Sequence, residues 1–313
     1  MKFSHREEQR GDRRLDVLTD DESGFRIVVS RLGAELVSVA RRNANGEWIG
    51  FLHRDDDLTP ATKGWANHAT VMGYFLHRLK DGRSVYRGHV IEGGTHSFLR
   101  TKIWNLVPTS ADDGSLTYRI QRSDYTQTEY PLDVSLDLSY RMDGEALRVG
   151  FDFQNNEREL AAHVGFGLHP GFAADSFESF DLTMPAGLYR RHFSPENYLS
   201  EETEEIRFGG GEMPFAREKL VGSYILELVD VPDRHFTFTD RKSGRSVTLD
   251  LSGVPYLTLW SDGGAFLCVE PCWGLTDHHE QRAFEDKEGI QVIAPGAELN
   301  ASFSMTPRLM ARL

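Results

Sequence analysis

The chain has 313 residues and a formal net charge of −13 at pH 7. That balance argues against a nucleic-acid partner, which calls for a basic face. With 39% hydrophobic and 27% charged residues the composition is that of an ordered globular protein. No apolar run approaches the roughly 20 residues of a membrane span. The opening MKFSHREEQRGDRRLD lacks the apolar core of a secretory signal, so a cytoplasmic protein with no membrane partner is expected.

Residues 1–14 are charged throughout and are expected to form a frayed tail, with residues 15–313 as a single domain. From Leu15 the pattern turns to strands: DVLTDD, FRIVVS, then ELVSVARR after Leu32-Gly33. Asn43-Ala44-Asn45-Gly46 marks a hairpin, and residues 53–70 lack periodicity and predict a loop. LDVSLDLSYRM, residues 132–142, alternates apolar and polar side chains without a break, the pattern of a half-buried strand. Asp143-Gly144 then predicts a tight turn into ALRVGFDFQN. Further short strand-like runs follow at 224–231, 235–240, 246–251, 255–261, 265–270 and 298–305. Helical periodicity is confined to short stretches near 195–205 and 275–286. Many short strands at this spacing predict an all-β protein, one large antiparallel β-sandwich.

Three stretches carry candidate chemistry, Thr95-His96-Ser97-Phe98 and the two that follow. In AAHVGFGLHPGF, residues 161–172, alternation puts Val164, Phe166 and Leu168 on one face. His163, Gly165, Gly167 and His169 share the other, a face with almost no side chains between its imidazoles. Glycines in a strand mark close approach of a ligand or of another backbone, or simply a tight bend. In AFLCVE, residues 265–270, Phe266, Cys268 and Glu270 share a face, and a proline follows. A carboxylate ending an apolar strand is partly desolvated, which raises its pKa and makes it a better base near neutrality. The same residue would be inert if it reached solvent or paired with a lysine. His169 and Glu270, if they converge, form an acid–base pair able to take a proton from one oxygen and give one to another. Cys268 and Cys272 would lie roughly 13 Å apart on an extended strand, too far to bridge, and free thiols are expected. Two thiols and the adjacent His278-His279 fall short of a metal site, and no glycine-rich nucleotide loop occurs. No metal and no cofactor are expected.

Several segments, in order, resemble the aldose 1-epimerases (galactose mutarotases): SRLGAELVSVARR, Phe75-Leu76-His77-Arg78-Leu79, Tyr86-Arg87-Gly88, THSFLRTKIW, GLHPGF, PYLTLWS, FLCVEPCWGLTD and GIQVIAPGAELNASFSM. The resemblance runs over about residues 15 to 305 and implies a many-stranded antiparallel supersandwich. It implies Glu270 as the base that removes the C1 hydroxyl proton and His169 as the acid that protonates the ring oxygen. His96 would hydrogen-bond the sugar near the ring oxygen and Arg78 would bind a hydroxyl. Trp260 and Trp273 could offer an aromatic face to the sugar's C–H side, with core packing the first expectation for each. The family's usual Asn-Arg is His77-Arg78 here, and its His-Gly-Phe is His96-Ser97-Phe98. The aspartate that grips sugar hydroxyls has no clear counterpart, Asp240 and Asp262 being candidates.

These features predict a cofactor-independent mutarotase acting on a free aldose, as a monomer or homodimer. A hexose-6-phosphate mutarotase is the second expectation, with Arg78, Lys80, Arg83, Arg87 and Arg100 as a source of phosphate ligands. A non-catalytic sugar-binding protein of the same fold is the third.

Overall fold

In the computed structural model the described residues are 2–108 and 113–310. They form three antiparallel sheets and a two-stranded hairpin, with only short 3-10 turns between strands. The two stretches with helical periodicity close as single 3-10 turns at Pro195–Asn197 and Phe284–Asp286.

The 132–142 alternation is realised in the strand Val134–Asp143, whose burial switches residue by residue. It pairs with Ala146–Asn155 across the Asp143-Gly144 turn, and Glu298–Leu309 pairs on the far side. These are the middle of a nine-stranded sheet. Facing it is an eight-stranded sheet whose centre is Tyr256–Trp260, Phe266–Trp273 and Ala162–Ala173, with Ala69–Tyr74 added along Ala162–Ala173. Aromatic rings fill the space between the two. Phe151 and Phe153 from the first sheet meet Phe166 from the second at centroid distances of 5.2 and 4.7 Å. Burial of such rings is the main favourable term holding the layers together.

The expected frayed tail at residues 1–14 is corrected by the structure. Phe3–Arg10 is a strand, paired with Arg13–Asp20 along its whole length, at the edge of a five-stranded meander. Its cohesion comes from charge pairing across the ladder, which hydrophobic periodicity does not register. Glu7 accepts from Arg14 and Arg31, and His5 lies 3.0 Å from the fully buried Asp16. Phe3 supplies an apolar anchor against the main core.

Candidate active site

The functional face of the eight-stranded sheet follows from its register. Thr70 pairs with His169, and Thr258 pairs with Glu270. Gly167 pairs with Cys272 and Gly171 with Cys268, so His169 and Glu270 stand between them, side by side on adjacent strands. Thr70, His169, Glu270 and Thr258 thus form one row across four strands. The opposite parity, Val164, Phe166, Leu168, Val269 and Trp273, faces the core.

The glycines flanking His169 have separate steric reasons. A side chain at Gly167 would stand 2.4 Å from the Pro271 carbonyl oxygen, so the strands could not approach as they do. A side chain at Gly171 would stand 2.4 Å from the Trp65 ring. That gap admits the Trp65 indole, which stacks over the His169 imidazole at 4.9 Å and meets Trp260 edge-on at 5.9 Å. Asp262 pins Trp65 by accepting its backbone N–H at 2.8 Å.

His169 Nε2 lies 3.3 Å from Glu270 Oε1, with the two residues 7% and 1% exposed. Desolvation pushes the Glu270 carboxyl well above the ordinary carboxylate range. Burial, reinforced by His77 and Arg100, pulls His169 down to about 3. Dehydration disfavours charge on either group. The pair therefore holds a single proton, resting on the carboxyl, with the imidazole neutral. Glu270 Oε2, His169 Nδ1, His77 Nε2 and Thr70 Oγ1 are buried with no hydrogen-bond partner among the described residues. Buried polar atoms normally find partners, and these gather around one cavity.

That cavity has a volume of about 370 Å³ and is lined by His77, Arg78, His96, Arg100, His169 and Glu270, with Trp65 and Trp260 at one side. The size suits a small ligand. His96 is held in a left-handed backbone conformation, φ 64°, as are Ser97 at 62° and His77 at 52°. The His96 N–H donates to the His77 carbonyl at 2.7 Å, and the His77 N–H donates to His96 Nδ1 at 3.2 Å. Strain of this kind persists only where neighbours enforce it. Because Nδ1 accepts, the imidazole proton of His96 sits on Nε2. Burial holds His96 well below the usual histidine range and His77 near 4, so both are neutral. The segment carrying His77 and Arg78 is tied down by Asp277, which accepts the Lys80 N–H at 2.7 Å and pairs with the buried Lys287.

The structure brings together Glu270, His169, His96, Arg78 and Trp260. Trp273 is not among them. It stacks on Phe166 at 5.1 Å, donates its indole N–H to the Gly253 carbonyl, and reaches a separate, open depression of about 720 Å³ on the far side. Its parity decides this, since residues 269, 271 and 273 alternate with 268, 270 and 272. Neither candidate aspartate lines the cavity. Asp240 caps the backbone of Asp175, and Asp262 holds the Trp65 loop. Of the cationic residues considered for a phosphate, only Arg78 and Arg100 line it. Arg87 donates to the Ala161 carbonyl, and Lys80 lies over the Tyr198 ring. Trp65 and Asn67 escaped sequence reasoning because they sit in a segment without periodicity.

Two sets of donors, His77–Glu270–Cys272 and His169–Cys268–Glu270, each have ligand atoms within 4.8 Å of one another. Burial holds both thiols protonated, pushed well above their usual range. An ion would have to displace those protons to bind. The geometry suits proton transfer between oxygens of a bound molecule.

Residues 16–306 match the family model described as aldose 1-epimerase. The chain belongs to the aldose 1-epimerase family. Protein LacX (plasmid) of Lactococcus lactis subsp. lactis is 23% identical over 292 residues, covering 88% of this chain and 94% of that protein. Among solved structures, a galactose mutarotase related enzyme from Lactobacillus acidophilus has a TM-score of 0.82 at 22% identity, covering 98% of both chains. A galactose mutarotase-like protein from Lactobacillus casei ATCC 334 has a TM-score of 0.79 at 21% identity, covering 97% of this chain and 100% of that one. The fold is thus that of the galactose mutarotase-like proteins. No helix among the described residues is long and apolar enough to cross a membrane.

Proposed function

We propose that this protein is an aldose 1-epimerase, interconverting the α and β anomers of a sugar by ring opening and reclosure. The observation that carries the reading is the buried His169–Glu270 pair, 3.3 Å apart at the floor of a cavity of sugar size. Opening the ring requires one proton to leave the C1 hydroxyl as the C1–O5 bond breaks, and one to reach O5. Rotation about C1–C2 and the reverse steps give the other anomer.

The pair holds one proton in total and ends each cycle as it began. Glu270 is assigned as the base toward the C1 hydroxyl and His169 as the acid toward the ring oxygen. That division has the proton on His169 when the sugar is bound, moved there from its resting place on Glu270. Sugar hydroxyls replace the dry surroundings with hydrogen bonds, which favour the charged tautomer. His96 offers Nε2–H toward the sugar, and Trp65 and Trp260 offer apolar faces to its C–H side. A positioned acid or base contributes on the order of 10² to 10⁴ in rate.

The test is the rate of anomer exchange, followed by NMR, for neutral and anionic aldoses with the purified protein. Acceleration proportional to protein concentration is expected with at least one of them. Binding without acceleration across the panel would overturn the catalytic reading in favour of a sugar-binding protein.

A further inference from the structure

The charge of the cleft narrows the choice of aldose. Glu270 is its sole carboxyl among the described lining residues, and burial suppresses its charge. His77, His96 and His169 are neutral for the same reason. What remains is Arg78 and Arg100. The one ion pair among the described lining residues is His169–Glu270, so both guanidinium groups stand without a carboxylate partner.

Arg100 is the more informative of the two because it is half-buried, whereas Arg78 is exposed. Desolvation pulls its pKa down, and Glu35 is the one acid whose field opposes this. Glu35 is engaged elsewhere, by His68 at 3.2 Å and Arg13 at 3.4 Å. Within the cleft Arg100 meets the neutral Asn67 amide, whose oxygen accepts from Nη2 at 3.3 Å in the orientation that also accepts from Trp65. A desolvated cation without an anion is costly, and proteins seldom keep one without use. A guanidinium also presents a planar fork that matches phosphate and carboxylate oxygens two at a time. In a chain of net charge −13, a cleft with two free cations and no exposed acid runs against the field of the whole molecule.

We propose that the substrate is an anionic aldose, whose phosphate or carboxylate is held by Arg78 and Arg100 while C1 lies at the His169–Glu270 pair. Space for the anion continues past Arg100 into an adjoining depression of about 300 Å³ that Arg13, Thr101 and Glu35 also line, the Glu35 carboxylate being paired there with Arg13 and His68. A neutral hexose would leave the half-buried Arg100 without an anion. The proposal rests on the epimerase reading above.

The experiment compares anomer exchange of glucose and galactose with that of their 6-phosphates and their uronic acids, on wild type, Arg100→Gln, Arg100→Lys and Arg78→Gln. Charge-assisted hydrogen bonds contribute enough that kcat/KM for an anionic sugar should exceed its neutral parent by at least about tenfold. Arg100→Gln should cost the anionic sugar at least about tenfold more than the neutral one, with Arg100→Lys between. Preference for the 6-phosphates over the uronic acids, or the reverse, names the anion. Should Arg100→Gln fail to fold, competition by inorganic phosphate on the wild type reports the same site. Equal or better turnover of neutral sugars, with no inhibition by phosphate, would overturn this proposal and leave the epimerase reading intact. No acceleration of any sugar would remove both.

Discussion

Glu270 sits where a carboxylate is expensive to ionise, and that gives two expectations that can be checked on pH. The first concerns rate. His169 takes a second proton only near pH 3, and Glu270 loses its own only well above the usual carboxylate range. The pair keeps its single proton between those limits. With a sugar that has no group titrating there, kcat/KM should show no acid limb as pH falls through the ordinary histidine range. An acid limb centred near the ordinary histidine value of about 6.5 would contradict it. The second concerns stability. A raised folded-state pKa means that the contribution of Glu270 is fully present below about 4.5 and is lost as pH rises through the folded value. Glu270→Gln cannot titrate. Its Tm should therefore gain on wild type as pH rises from 5 through the folded-state value of Glu270. A constant or shrinking difference would show that Glu270 is already ionised at rest.

At the scale of elements, the site depends on strands that approach closely and a loop that folds over them. The two glycines beside His169 should respond differently. Gly167→Ala places a methyl group against the Pro271 backbone and should cost about 1–3 kcal/mol in a denaturant melt. Gly171→Ala meets the end of the Trp65 ring, which can swing away, and more loosely Cys268 Sγ at 3.3 Å. Its cost in stability should be the smaller, and its effect should appear as a raised KM through loss of the indole over His169. The Asp277–Lys287 pair, buried on both sides, fixes the turn that carries His77 and Arg78. Lys287→Met leaves Asp277 buried without its cation and should destabilise by about 3–5 kcal/mol. A loss within experimental error would mean that the pair is hydrated in solution.

Across the whole molecule, the sandwich and the two catalytic candidates were legible in the sequence because period-2 alternation is the strongest signal a strand leaves. It placed His169 opposite the core residues Val164, Phe166 and Leu168, and placed Glu270 with Cys268 on the same face. Applied one strand-end further, it also assigns Trp273 to the face of Val269, away from the cavity. Charge-paired strands leave no such trace. Phe3–Arg10 is held by Glu7, Arg14 and Arg31 and carries no apolar stripe. Trp65 reaches the site from a loop whose path is set by Gly171, roughly a hundred residues later, and by Asp262. No local pattern encodes such a contact. The orphaned Arg100 was visible only as one cation among several until folding separated it from the others.

The most direct test of the central claim is a double-variant cycle on anomer exchange, with Glu270→Gln, His169→Gln and both together. Two groups that pass one proton through a single transition state fail together when either is removed. Each single variant should lose at least about 100-fold in kcat/KM, and the double variant should fall little below the worse of the two. A single variant with near wild-type turnover, or losses that multiply in the double variant, would show that His169 and Glu270 do not act as one unit.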